Sequence, residues 1–92
     1  MGKEYDVTVD RHKESLDVII PRKYMEVFTR YFNDEFSYYN STKIGESSGR
    51  ISSYHSHPKG CRVVVRIQEY EEKRFDKFLD MFCRQKGLSL QV

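Results

Sequence analysis

Cys61-Arg62-Val63-Val64-Val65-Arg66-Ile67-Gln68 is the stretch that decides the fold. It carries three valines and an isoleucine in eight residues, and β-branched side chains suit a pleated, packed surface. Successive side chains on a strand point to opposite faces. Cys61, Val63, Val65 and Ile67 therefore share an apolar face, and Arg62, Val64, Arg66 and Gln68 share the other. A strand this apolar belongs in the interior of a sheet. Two arginines on its second face imply that this face is left open.

Working outward, Lys59-Gly60 precedes the strand, and Tyr54-His55-Ser56-His57 lies just before that. Arg50-Ile51-Ser52-Ser53-Tyr54 is suited to pair with it as a returning strand, after the turn-forming Gly45-Glu46-Ser47-Ser48-Gly49. Phe36-Ser37-Tyr38-Tyr39 reads as a further short strand. The whole stretch 40–58 is expected to form a flexible hairpin or loop, because a structureless connection of that length is uncommon in a small domain.

Two helices flank this region. Pro21 opens the first, since its missing N–H has no partner in a first turn anyway. Tyr24, Val27, Phe28, Tyr31 and Phe32 then recur at helical spacing. The second follows Glu69-Tyr70-Glu71-Glu72, acids that favour a helix start. Its stripe is Phe75, Phe78, Leu79, Phe82 and Cys83, and Gly87 is placed to end it. Tyr5 to Asp10 and Leu16 to Ile20 make an N-terminal hairpin, and Leu88, Leu90 and Val92 a last strand. The order is β-β-α-β-β-α-β. It predicts a single α+β domain over residues 1–92, a small ferredoxin-like βαββαβ sandwich with an extra N-terminal strand. Two helices cover one face of an antiparallel sheet, and Val64 and Ile19 stay exposed on the other.

That element order is similar to RNA-recognition-motif domains, whose third strand begins with Lys-Gly, as Lys59-Gly60 does here. Cys61 and Val63 occupy the positions where that family carries its stacking aromatics. The resemblance covers one dipeptide and a topology, and it does not imply the family's base-stacking mode.

Composition narrows the function classes. Ninety-two residues bury only roughly two-thirds of their unfolded surface, so stability is modest. No apolar segment approaches the roughly 20 residues of a membrane span. The first twenty residues lack the apolar run of a secretory signal, and Asp6 stands where a myristoylation signal wants Ser or Thr. Two cysteines read as buried thiols in a reducing, cytoplasmic setting, with a single Cys61–Cys83 bridge as the alternative.

The net charge of +2 is unevenly spread. From Ser37 to Gln68 the chain has five basic residues, Lys43, Arg50, Lys59, Arg62 and Arg66, and one acid, Glu46, a local charge of +4. Histidine titrates near neutrality, so His55 and His57 add to this at mildly acid pH. Tyr38, Tyr39 and Tyr54 lie among these cations. Lys and Arg neutralise phosphates and rings stack on unpaired bases. The expected function is therefore a small nucleic-acid-binding regulatory protein, RNA ahead of DNA, using Tyr39, Lys43, Arg50, Tyr54, His55, His57, Lys59, Arg62 and Arg66. The alternatives are an interaction module or inhibitor that docks its basic segment on an acidic protein surface, and a homodimer through the open face. In a purely structural role the tyrosines pack across strands and the arginines pair with Asp6 and Asp10.

Chemistry is sparse. His55, His57 and Cys61 supply three metal ligands where a closed zinc site wants four. A histidine beside Arg and Lys suits a nuclease, but no triad, phosphate loop or carboxylate pair is present. No catalytic residue, cofactor or metal is expected.

Overall fold

The computed structural model describes residues 5–36 and 49–91. The elements are β1 (Val7–Arg11), β2 (Leu16–Ile20), α1 (Met25–Phe36), β3 (Gly49–His57), β4 (Gly60–Ile67), α2 (Glu72–Lys86) and β5 (Leu90–Gln91), with short 3-10 turns leading into both helices. They form a five-stranded sheet in the order β3-β4-β2-β1-β5. This is the expected ferredoxin-like α+β arrangement. The extra strand β1 inserts between the first and last strands of the βαββαβ core. β5 therefore pairs with β1 and runs parallel to it, while the other three pairings are antiparallel. The sheet is mixed for that reason.

The helical side is sealed by phenylalanine. All six phenylalanines of the chain come from the two helices: Phe28, Phe32 and Phe36 at a spacing of four on α1, and Phe75, Phe78 and Phe82 on α2. Each is almost fully buried. Phe78 lies with its ring centroid 5.5–6.4 Å from all five others. Beneath them the sheet contributes Val7, Leu16, Val18, Ile20, Cys61, Val63 and Val65. The alternation expected of β4 is the one observed, with Cys61, Val63 and Val65 buried and Arg62 and Arg66 exposed.

Two expectations are corrected. Phe36 does not open a strand; it closes α1, because it continues the Phe28–Phe32 series by one more turn and stacks 4.9 Å from Phe32. Arg74 of α2 holds this helix end by a cation–π contact with Phe36 at 4.7 Å and an ion pair with Glu35 at 3.1 Å. Ile19 is not exposed on the open face; it is only 4% accessible. It sits on β2, the middle strand, flanked by Thr8 on β1 and Arg62 on β4, and the aliphatic stem of an arginine shields apolar neighbours. Of the stretch 40–58, residues 49–57 form β3, whereas 40–48 fall outside the described residues, as do Tyr38 and Tyr39.

The chain ends of the domain are tied locally. Gly87, at φ 70°, closes α2 in a Schellman arrangement, with the Leu88 N–H donating to Cys83 O at 2.8 Å. Ser89 then clasps Asp6: its N–H and hydroxyl both donate to the Asp6 carboxylate, and the Asp6 N–H donates to its Oγ. Cys61 and Cys83 are both free and buried. Among the described residues no helix is long and apolar enough to cross a membrane.

Phe78→Ala is expected to cost about 3–5 kcal/mol, the range for truncating a buried phenylalanine, measured as a drop in the urea unfolding midpoint. Burial, and next the charges of Asp80 and Asp6, push the Cys83 thiol up from 9.0 to about 11. The unfolded chain therefore loses this proton first as pH rises. The contribution of Cys83 to stability should be full below pH 9.0 and fall as pH climbs toward about 11. Unfolding midpoints of wild type and Cys83→Ala should accordingly converge or cross over that range.

Candidate nucleic-acid interface

Strand register arranges the open face in rows. One row runs His55, Arg62, Ile19 and Thr8 across β3, β4, β2 and β1. The next runs Ser53, Val64, Asp17 and Asp10, and beyond it Arg50 lies directly opposite Arg66. His57, opposite Gly60, extends the same side of β3. The face is thus polarised. Its β3–β4 half holds Arg50, Arg66, Arg62, His55 and His57, and its β1–β2 half holds Asp10 and Asp17.

The β3–β4 hairpin that carries the cations is fixed by a glycine. Gly60 has φ 140°, and a Cβ there would lie 2.4 Å from Ile20 O and 2.7 Å from Arg22 N. Only glycine lets the hairpin approach the end of β2 so closely. Arg22 also donates to Gly60 O at 3.4 Å.

A bulge sets which side chains of β3 reach the open face. The pairing shifts between Ile51 and Ser53, so Ser52 is an extra residue. Before it, Arg50 pairs with Arg66 on the open side; after it, Tyr54 pairs with Val63 on the helical side, and His55 with Arg62 on the open side. Tyr54 therefore leaves the cationic face altogether. Its hydroxyl lies 2.9 Å from Thr29 Oγ1, which itself donates to Met25 O, so the tyrosine donates and ties β3 to α1. The remaining expected residues divide. Arg50, His55, His57, Arg62 and Arg66 come together, Lys59 sits in the adjoining turn, and Tyr39 and Lys43 lie outside the described residues.

The partners of these cations decide the electrostatics. Arg50 and Arg66 are exposed, face each other, and have no acidic partner among the described residues. Arg62 lies 3.7 Å from Asp17 Oδ2, a long contact that leaves its side chain 44% exposed. Asp6 and Asp10 do not pair with these arginines: Asp6 is taken by Ser89, and Asp17 serves Arg62 instead. Arg11, on the helical side, is engaged by Glu72 at 3.2 Å and Asp76 at 2.7 Å.

The histidines are oriented by neighbours. His55 Nε2 lies 2.9 Å from Ser53 Oγ, and His57 Nδ1 accepts the Lys59 backbone N–H at 3.1 Å. Cys61 faces the other way, buried with its Sγ 3.2 Å from Met25 Sδ. The sheet thus separates the sulfur from both imidazoles, and no metal-binding group of three or more acids, histidines or cysteines occurs among the described residues.

Comparison with family models, curated proteins and solved structures returned no match. The site therefore rests on its own geometry.

Two residues escaped the sequence-level expectation. His12, in the β1–β2 turn, places Nε2 3.1 Å from Asp17 Oδ2, and Asp17 is only 8% accessible. The signal for Asp17 was present: a lone carboxylate in the apolar run Leu16–Ile20 is out of place unless it has a task.

Like charges directly opposite on a sheet are destabilising by about 0.2–1 kcal/mol. Arg50→Thr should therefore raise the stability of the free protein by about 0.2–1 kcal/mol, read as an increase in the urea midpoint at low salt, with the gain shrinking as salt is added.

Proposed function

We propose that this is a small nucleic-acid-binding regulatory protein, with RNA favoured over DNA, that grips phosphates with the β3–β4 half of its open face. The observation that supports this most directly is the Arg50–Arg66 pair. Two exposed arginines at directly opposed positions, with no acidic partner among the described residues, cost stability in the free chain and gain it when an anion lies across them. Arg62 and His55 lie opposite each other on the same face, four residues along β4 and five along β3 beyond the bulge, and extend the row. Phosphates spaced along a backbone suit such a stripe better than one isolated anion does.

The mode differs from base stacking. The described strands present arginines and the imidazoles of His55 and His57 to the open face but no tyrosine or phenylalanine, since Tyr54 turns to α1. Contacts to phosphate position a nucleic acid but carry little sequence information. The proposed binding is accordingly salt-dependent and weakly sequence-specific.

The absence of tyrosine and phenylalanine from the described strands' open face also suits the second reading, an inhibitor or adaptor that docks on an acidic protein surface. Homodimerisation through this face is less well served. It would bring the arginine pairs of two copies together, with only the half-buried Val64 and the already buried Ile19 to cover.

Fluorescence anisotropy with single-stranded RNA, duplex RNA and duplex DNA over a salt series tests the proposal. Arg62→Ala with Arg66→Ala should weaken binding and flatten the slope of log affinity against log salt by about 1.4–1.8, two phosphate contacts at about 0.7–0.9 each. Affinity unchanged by that double substitution removes the sheet face from the function.

A further inference from the structure

Among the described residues Asp17 is the one acid set into the interior of this face. It lies on the middle strand, between the cations of β3–β4 and the exposed Asp10 of β1. It is 8% accessible, and its carboxylate is held by two side chains at one oxygen: His12 Nε2 at 3.1 Å and Arg62 Nη1 at 3.7 Å both address Oδ2. Oδ1 has no partner among the described residues. No buried, unpartnered side-chain oxygen occurs among them either, so Oδ1 reaches solvent. The result is a fixed carboxylate with one open, outward acceptor at the border of a phosphate-binding surface.

A carboxylate there is a poor neighbour for phosphate, which it repels. It is a good partner for a hydrogen-bond donor that travels beside a phosphate. The ribose 2′-hydroxyl is such a donor, and DNA lacks it. Asp17 lies on β2 opposite Val64, between the levels of Arg62 and Arg66 and one strand spacing away, so a strand whose phosphates lie over those arginines can turn its sugar edge toward it. We infer that Asp17 selects RNA over DNA by accepting a hydrogen bond from a ribose 2′-hydroxyl at Oδ1, with His12 and Arg62 fixing the carboxylate through Oδ2.

This inference rests on the nucleic-acid reading above, and it adds the residue that separates the two nucleic acids. Asp17 acts on discrimination, and the arginines act on affinity. An RNA presents the donor and gains a charge-assisted bond. A DNA of the same sequence leaves Oδ1 without a donor while Oδ2 keeps His12 and Arg62. The difference expected from one hydrogen bond to a charged group is about tenfold or more in affinity.

The test uses the full chain and four single-stranded probes of one sequence: RNA, DNA, RNA with all 2′-hydroxyls methylated, and RNA with single 2′-deoxy positions. Wild type should bind RNA about tenfold more tightly than DNA. The methylated RNA should behave like DNA, because methylation keeps the oxygen as an acceptor but removes the donor. Asp17→Ala should bring the RNA-to-DNA ratio close to one. A ratio measured on one sample is insensitive to the fraction of folded protein. Should Asp17→Ala fail to fold, the wild-type probe series decides alone. Equal binding of RNA and DNA by wild type, full binding of methylated RNA, or a ratio that survives Asp17→Ala each overturns the role of Asp17 while leaving phosphate binding in place. Absence of binding to every probe overturns the nucleic-acid reading itself and points to the acidic-protein partner.

Discussion

The fold depends on one packing event, the meeting of α1 and α2 through their phenylalanines. Phe78 touches the other five rings, so the two helices share one aromatic layer between themselves and the sheet. Edge-to-face and offset contacts of this kind add about 0.5–1.5 kcal/mol per pair beyond the area they bury. For a chain this short, that concentration matters, because little other interior is available. Helix ends are anchored to the same layer: Arg74 covers Phe36 while reaching Glu35 and Glu71. With both helices spent on one side of the sheet, the other side is open among the described residues. The aromatic layer thus creates the surface that the cations occupy.

Strand parity then sorts residues between the two sides, and β4 does so without exception. Val63, Val65 and Cys61 join the core, its arginines leave it, and Val64 stays half-buried on the open side. The stretch Cys61–Gln68 was therefore legible as a two-faced interior strand from the sequence alone. So were α2 and its left-handed glycine cap, because Phe75, Phe78, Leu79, Phe82 and Gly87 obey a helix period and a stop signal together. Strand order was legible in outline. The insertion of β1 beside β5 was not, since β5 is two residues long and its placement depends on the Asp6–Ser89 clasp across the whole chain.

The candidate site was legible in its charges and illegible in its geometry. Arg50 and Tyr54 are an even number of residues apart, so simple alternation puts them on one face. The extra residue at Ser52 reverses that. It sends Tyr54 to α1 and brings His55 and His57 round to the arginines. Nothing in Ile51-Ser52-Ser53 announces a bulge, because the cause is tertiary: β3 must satisfy Ile51 against Val65 and Tyr54 against Val63 at once. The same argument covers β3's length. His55-Ser56-His57 has weak strand propensity, and pairing with β4 overrides it.

The helical side and the open side differ in how well they obey local rules. On the helical side the phenylalanines sit in one consistent layer, and no buried side-chain polar atom among the described residues lacks a partner. On the open side three departures fall close together. A bulge interrupts β3, two arginines face each other without an acid, and a carboxylate is set into the middle strand. Each is unfavourable for stability considered alone. Departures from local consistency concentrate where a protein is selected for something other than folding. Here they also share one face: the bulge turns His55 and His57 toward it, the arginine pair faces across β3 and β4 with no acidic partner among the described residues, and Asp17 lies 3.7 Å from Arg62 at the border between the two halves. The proposed binding of a charged, hydroxyl-bearing chain draws on all three.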